Sequence, residues 1–583
     1  MSQTNQATPS RTGVTVVIAG EAGQGIQTVE YLLAKILKSE GYHIFASKEY
    51  MSRIRGGANS TAIRVSSARV AAYAAGIDLL VALDREAPAH LADRLSPATI
   101  IVGDAAGLGL DRPVLDIPFA AIAAAAGNKL FANSVASGAV AGLFQVDFAG
   151  VERAIAAYFR GKPQAMVDQN IAAARTGYEA GRELAAAGRA GLTPPDKDAA
   201  VAGDPIINGS EALALGAVAG GCNFIASYPM SPGTGVLIYL SQFAADFGIV
   251  AEQAEDEIAA INMGLGAWYA GARAMVSTSG GGFALMTEAV SLAGMIESPM
   301  VIHIAGRPGP ATGLPTRTEQ GDLELALYAG HGEFPRLILA PRSIDAAFYR
   351  TAEAFQLADR FQVPVFILTD QFLVDSFLNL PELDPAGLEN EPRIVATPAD
   401  YRRYELTPDG LSPRGIPGHG AGLVGVDSDE HDEAGHITED LELRVRMVDK
   451  RLRKLELLRT DLVPPLFHGP ADYRTLVVGW GSTYPAIREA LAGLDRPDVA
   501  QLHLEQVYPL PPSAVAYLQK AERIILVENN ATGQFGKLLR QETGRAASDR
   551  ILKYNGMPFA VEELAERFAA LLTADTAAEG SAV

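Results

Sequence analysis

The run Val14-Thr-Val-Val-Ile-Ala19 leads directly into Gly20-Glu-Ala-Gly-Gln-Gly25, and then into an amphipathic stretch from Ile26 to Ser39. A short continuous apolar run reads as a strand covered on both faces, and a glycine turn feeding a helix completes a strand–turn–helix unit. The pattern returns along the chain. Ile77–Leu83 and Ala98–Val102 read as strands, with an Ala-rich helix over Ala120–Ala126. Phe224–Tyr228, Ala274–Thr278, Met300–Ala305 and Val363–Leu368 follow, and later Thr475–Ser482 and Arg523–Glu528. Strands alternating with helices confine such a chain to α/β architecture with parallel sheets.

The 583 residues allow about four domains by length. The pattern resolves three doubly wound α/β units. The first covers 12–191. A Pro- and Asp-rich stretch without periodicity, 192–205, reads as a linker, and the second unit covers 206–381. Residues 382–470 change character: Pro and Gly are frequent, an acidic tract runs from Asp427 to Glu433, and a charged helix spans Asp440 to Arg459. This is expected to be an irregular connection wrapped over its neighbours. A small third unit covers 471–573.

Hydrophobic residues are 48% of the chain, enough for cores of this number. A net charge of −20 speaks against a nonspecific nucleic-acid or anionic-membrane surface. Cys222 is the single cysteine, so this chain can hold neither a thiolate zinc site nor an iron–sulfur cluster. No run of about 18 uncharged apolar residues appears, and the N-terminus lacks a signal-peptide core, so a cytoplasmic protein without a membrane span is expected.

Several motifs suit chemistry. The turn Gly20–Gly25 offers backbone N–H groups at a helix N-terminus, where anions settle; a plain tight turn is an equal reading. Ser52-Arg-Ile-Arg55-Gly-Gly places two arginines beside glycines, suited to phosphate or to ordinary ion pairs. Tyr228-Pro-Met-Ser231-Pro232 holds a hydroxyl in a stiff loop at a strand's C-terminal end, the edge where ligands of open α/β sheets bind. Glu252, Glu255, Asp256 and Glu257 precede a helix that is apolar nearly all round. An acid leading such a helix suits a helix N-terminus and equally a desolvated functional carboxylate; periodicity leaves Glu255 and Glu257 open. Ser277-Thr-Ser-Gly-Gly-Gly282 is a glycine turn after a strand. Gly306-Arg307-Pro-Gly-Pro-Ala-Thr-Gly-Leu-Pro-Thr-Arg317 is a stiff loop whose arginines could take a carboxylate. His331 reads as a hydrogen-bonded structural residue, and His431 and His436 as part of a solvated acidic loop rather than a metal site.

Taken in order, these motifs resemble the α subunit, with a fused γ domain, of 2-oxoacid:ferredoxin oxidoreductases, most of all the 2-oxoglutarate enzymes. The likeness spans nearly the whole chain. Tyr228–Pro232 is similar to the family's Tyr-Pro-Ile-Thr-Pro, and Gly330-His-Gly-Glu-Phe-Pro also matches. The resemblance implies a γ-like domain over 12–191, a thiamine diphosphate pyrimidine-binding domain over 206–381 and a transketolase C-terminal-like domain over 471–573. It also implies thiamine diphosphate shared with a β subunit that carries Mg²⁺ and a [4Fe–4S] cluster. An α₂β₂ assembly is expected, with ferredoxin, a 2-oxoacid and CoA as partners.

Site roles follow from the likeness. A glutamate would bond N1′ of the aminopyrimidine, and matching Gly266 and Gly271 to family glycines favours Glu257. Pro229, Ser279 and Gly280 would line the cofactor. Ser231, Arg307 and Tyr228 would meet the substrate, with Arg317 as a second arginine. Gly23, Gly25 and Arg55 would contact CoA. Gly479-Trp-Gly-Ser and Glu528-Asn-Asn would serve structure and subunit contact. Pyruvate or another 2-oxoacid as substrate, or a non-catalytic assembly role, are the alternatives to 2-oxoglutarate turnover.

Overall fold

The computed structural model describes residues 13–52 and 57–580 and arranges them around three sheets. The first has eight strands, in the order Leu115–Asp116, Ile100–Gly103, Leu79–Ala82, Gly13–Glu21, Ala58–Ser66, His43–Glu49, Phe377–Asn379 and Ile206–Asn208. The first four strands pair in parallel. Every pairing beyond Gly13–Glu21 is antiparallel, which corrects the wholly parallel expectation. The connection 50–57 is shorter than the dozen or so residues a parallel crossover needs, so the chain returns as a hairpin. The last two strands come from far downstream, so stretches read from sequence as separate units share a sheet.

The central sheet has seven strands, in the order Gln506–Tyr508, Leu337–Leu339, Pro364–Asp370, Met300–Gly306, Ala274–Thr278, Phe224–Ser227 and Val250–Gln253. Six are mutually parallel; Gln506–Tyr508, from the third segment, closes one edge antiparallel. Met300–Gly306 and Pro364–Asp370 are buried throughout, the doubly covered strands that continuous apolar runs predict. The third sheet has five strands, four of them parallel, with Leu466–His468 antiparallel at the edge.

Residues 382–440 form no helix and no extended strand before the helix Leu441–Leu458. Buried ion pairs fasten this stretch down. Asp359 accepts from Arg273 at 3.0 Å and from Arg414 at 2.7 Å. Glu297 accepts from Lys450 at 2.6 Å and lies 2.5 Å from Lys454. Burial alone would push the Glu297 carboxyl up, but Lys454, Lys450 and Arg403 together hold it well below the usual range. The charged helix therefore turns three of its cations inward, with Met447, Lys450, Arg451, Lys454 and Leu458 buried, while Arg444, Arg446, Arg453, Leu441 and Val445 are exposed. The solvated-loop reading of the acidic tract is corrected for two residues. Glu430 is clamped by Arg444 and Arg451, and His431 is fully buried with its ring 3.9 Å from that of Tyr404. Opposed arginines explain the first and an aromatic face the second. His436 remains exposed.

The third unit clasps the loop that follows the central strand Met300–Gly306. Gln320 exchanges backbone and side-chain hydrogen bonds with Asn529, and its Nε2 donates to the Trp480 carbonyl at 2.9 Å. Asn530 Nδ2 donates to the Gln320 carbonyl, and Gln534 Nε2 to that of Gly321. Glu528 is buried and accepts from Asn530, Phe535 N, Gly536 N and Trp480 Nε1. Gly479-Trp-Gly-Ser and Glu528-Asn-Asn thus make contacts inside the chain.

Removing one member of a buried ion cluster strands the others without a counter-charge. Glu297→Gln is expected to destabilise the fold by about 3–5 kcal/mol, read as a lowered midpoint in urea unfolding. An unchanged midpoint would mean that Lys450 and Lys454 are not held as described.

Candidate active site

The site gathers at the C-terminal edge of the central sheet, where the loops after Phe224–Ser227, Ala274–Thr278 and Met300–Gly306 meet the helix Glu257–Tyr269. Asp256 caps that helix, its carboxylate accepting from Ala259 N at 2.8 Å. This leaves the next side chain, Glu257, uncommitted at the first helical position. Glu257 is only 3% exposed, and its Oε1 has no hydrogen-bond partner. A buried carboxylate oxygen without a donor costs free energy unless a ligand supplies one. The helix buries one face only; Ile258, Met263 and Tyr269 are exposed, which corrects the expectation of burial all round.

Ser279 leads into the short helix Gly280–Phe283, a single glycine-rich turn that faces Glu257. Ser279 is completely buried and its Oγ also lacks a partner. A Cβ on Gly282 would lie 2.2 Å from Thr278 Oγ1 and 2.5 Å from Glu257 Oε1. A Cβ on Gly280 would lie 2.1 Å from Asp322 Oδ1. Two acids, one from a helix N-terminus and one from a loop, therefore close on one glycine turn. Asp322 is half-buried as a residue, but its Oδ2 is buried and is the third unpartnered oxygen here. Burial pushes its carboxyl up to about 7, with Glu319 adding to the rise and Arg307 opposing it.

The Tyr228–Pro232 loop lies alongside. Ser231 and Tyr228 are exposed and Pro229 is half-buried. Arg307 Nη1 donates to the Ser231 carbonyl at 2.6 Å, so the arginine and the hydroxyl-bearing residue share one rim. Partial burial lowers the Arg307 pKa, and Asp322 acts against that. Beneath the loop runs a buried polar relay. Ser277 Oγ donates to the Gly233 carbonyl at 2.7 Å and lies 2.8 Å from His303 Nδ1, while His303 Nε2 lies 2.8 Å from Thr369 Oγ1. Burial drives His303 down to about 3, so the imidazole is neutral. With the Ser277 hydrogen committed to Gly233, His303 Nδ1 donates and Nε2 accepts from Thr369.

The remaining candidates lie apart from this cluster. Arg317 Nη2 donates to Glu49 Oε1 of the first sheet at 3.0 Å, and is thereby occupied in joining two parts of the chain. Gly23 and Gly25 flank the start of the helix Ile26–Ser39; both have positive φ, and no acid occupies its first turn. Arg55 falls outside the described residues. His331 exchanges hydrogen bonds with Ser291, as a structural residue would. No group of three or more His, Cys, Asp or Glu among the described residues is arranged to hold a metal ion. Cys222 is buried, which pushes its thiol up to about 12 and leaves it unreactive. No helix of the described residues is long and apolar enough to cross a membrane.

The sequence pattern missed Asp322 and His303. Asp322 precedes the helix Leu323–Tyr328 and so resembles an ordinary cap, yet its side chain makes no capping bond. His303 sits mid-strand, where one-dimensional periodicity gives no hint of its neighbours.

A doubly wound scaffold whose uncommitted acids ring a glycine turn at its C-terminal edge belongs to the class of cofactor-dependent α/β enzymes. Comparison with known proteins narrows this. Residues 215–450 match the family model "Pyruvate flavodoxin/ferredoxin oxidoreductase, thiamine diP-bdg", and residues 15–180 match "Pyruvate ferredoxin/flavodoxin oxidoreductase". Subunit alpha of 2-oxoacid:ferredoxin oxidoreductase 1 from Aeropyrum pernix is 32% identical over 95% of this chain and 97% of its own. The 2-oxoglutarate synthase subunit KorA of Archaeoglobus fulgidus is 35% identical over 62% of this chain and 97% of its own. Among solved structures, 2-oxoglutarate:ferredoxin oxidoreductase from Magnetococcus marinus, with 2-oxoglutarate, coenzyme A and succinyl-CoA bound, superposes with a TM-score of 0.88. It is 28% identical and covers 96% of this chain and 99% of that one. The chain belongs to the 2-oxoacid:ferredoxin oxidoreductase alpha-subunit family and is an oxidoreductase subunit.

The residues present fit thiamine diphosphate. Glu257 Oε1 and Ser279 Oγ are buried and unpartnered beside a turn that lacks side chains, which suits a flat heterocycle with a ring nitrogen to accept and an amino group to donate. Gly282→Ala places a methyl group against Glu257, and is expected to lower turnover at least about 100-fold while far-UV circular dichroism stays unchanged. Wild-type turnover would show that this contact does not matter.

Proposed function

We propose that this chain is the alpha subunit, with a fused gamma domain, of a CoA-acylating 2-oxoglutarate:ferredoxin oxidoreductase. It would interconvert 2-oxoglutarate, CoA and oxidised ferredoxin with succinyl-CoA, CO₂ and reduced ferredoxin. The observation that carries the reading is the unpartnered carboxylate of Glu257 at the head of its helix, facing Gly282. The KorA likeness and the Magnetococcus marinus structure support 2-oxoglutarate over pyruvate.

In this reading thiamine diphosphate, when bound, supplies a carbon nucleophile and an electron sink for decarboxylation. Glu257 would hold a proton at the pyrimidine N1′, the contact that lets the 4′-amino group give up a proton and so become able to accept one. Burial makes that exchange sensitive to the carboxylate and not to bulk water. Ser279 and the backbone of Gly280 orient the ring, and Pro229 lines it. Ser231 and Arg307 take the substrate carboxylate on the rim, with Tyr228 beside them. The relay Ser277–His303–Thr369 fixes the carbonyl of Gly233 and so the Ser231 loop. Arg317 is tied to Glu49 and contributes to substrate binding only through the loop it anchors. Gly23, Gly25 and Arg55 form the candidate contact for the CoA phosphates, with the N-terminus of Ile26–Ser39 favouring anions.

A β subunit would bring Mg²⁺, the diphosphate site and the [4Fe–4S] cluster, since the lone buried thiol here holds no cluster. The exposed Ile258 and Met263 on the helix that carries Glu257 suit a partner surface beside the site. An α₂β₂ enzyme in the cytoplasm completes the reading.

Glu257→Gln keeps shape and removes the charge. In the αβ complex, assayed with methyl viologen, CoA and 2-oxoglutarate, it is expected to lower kcat by about 100-fold or more with assembly intact. Undiminished turnover would reject the proposed role. A 2-oxoacid panel in the same assay should give the highest kcat/KM with 2-oxoglutarate; preference for pyruvate would overturn the substrate.

A further inference from the structure

Asp322 and Arg307 present a pairing that the fold declines. Asp322 Oδ2 lies beside the backbone of Gly306, one residue from Arg307, yet Arg307 Nη1 donates to the Ser231 carbonyl and not to the acid. Asp322 Oδ2 is left buried without a partner, while its other oxygen abuts the Cα of Gly280 in the turn that faces Glu257. An ionised carboxylate in that setting would be expected to draw the guanidinium or to leave the interior. A neutral carboxyl does neither.

The surroundings favour the neutral form. The groups that face Asp322 are Glu319 on its own loop, Arg307 from the end of the strand Met300–Gly306, and the uncharged Gly280 and Gly306 backbone. Burial raises the Asp322 pKa to about 7. The segment is not free to swing the acid outward. Thr318 N donates to the Gly556 carbonyl, Gln320 is clasped by Asn529 and Asn530, and Gln534 bonds Gly321.

We propose that Asp322 is a positioning residue for Arg307, which in its protonated form leaves the guanidinium available to an anionic 2-oxoacid and in its ionised form competes with that substrate. The inference rests on the reading above, in which Arg307 binds the substrate carboxylate. It adds a direction: affinity for the 2-oxoacid falls as pH rises through the titration of Asp322, because a second negative charge then faces the incoming carboxylate. At low pH the acid is neutral and the site holds one uncompensated cation. At high pH the cation is shared.

The test is the pH dependence of KM and kcat for the 2-oxoacid in the αβ complex, with wild type, Asp322→Asn, Glu319→Gln and Arg307→Lys compared. In the wild type KM is expected to stay level below neutrality and to rise about threefold or more by one to two pH units above it. Asp322→Asn should keep the low KM across that range, with kcat at any one pH changed less than the KM profile. Glu319→Gln removes a charge that raises the Asp322 titration, so the inflection should move to lower pH; this variant tests the proposal even if Asp322→Asn fails to assemble. Arg307→Lys, which keeps the charge but loses the fork, should raise KM at every pH. A rising KM that persists unchanged in Asp322→Asn, or an inflection that stays in place in Glu319→Gln, overturns the role of Asp322. An unaltered KM in Arg307→Lys overturns the underlying assignment of the arginine instead, so the two failures are distinguishable.

Discussion

The site depends on a steric condition: Gly280 and Gly282 carry no side chain. Glu257 approaches one and Asp322 the other so closely that a single methyl group on either glycine would overlap a carboxylate oxygen. The acids arrive from elements far apart in sequence, one from a helix N-terminus and one from a loop. Neither is paired with a cation. One oxygen of each, Glu257 Oε1 and Asp322 Oδ2, is buried and unsatisfied, a cost that a folded protein accepts where a ligand offsets it. The contrast with the rest of the molecule is instructive. Glu297 and Asp359 are as deeply buried, and each is met by two cations.

Those satisfied clusters do different work. They pin the irregular stretch after residue 382, which has little secondary structure of its own, to the back of the central unit. Desolvating two lysines and a glutamate brings little net stability compared with apolar packing, but it penalises any arrangement in which one of them is left alone. The clasp around Gln320 acts similarly on the loop that carries Asp322. Asn529, Asn530 and Gln534 replace the backbone partners that an irregular loop would otherwise seek from water. A third unit with no candidate catalytic side chain thereby sets the geometry at the edge of its neighbour.

Much of this was legible in one dimension. The strands at Ala274–Thr278 and Arg523–Glu528, and the helix Ile26–Ser39, fall where the apolar runs and periodicity predict. Doubly covered strands and amphipathic helices write their environment into consecutive residues. Ser231, Arg307 and the turn at 279–282 stood out because stiff or glycine-rich loops after strands mark the binding edge of an α/β sheet, and Glu257 because an acid leads an apolar helix and the family resemblance chose it over Glu255. The far edge of the first sheet did not stand out, since Phe377–Asn379 pairs there with strands roughly 170 and 330 residues away in the chain. The inward cations of Leu441–Leu458 were hidden too, because an ordinary solvated helix has the same composition.

By itself the sequence determined the α/β class, the family and the absence of a thiolate site, because each depends on local pattern or residue type. Tertiary structure alone decided that Asp322 joins Glu257 at one turn, that Arg317 is taken up by Glu49, and that His303 is a neutral brace. Those properties depend on distances between residues remote in the chain and on removal from water, neither of which any stretch of consecutive residues encodes.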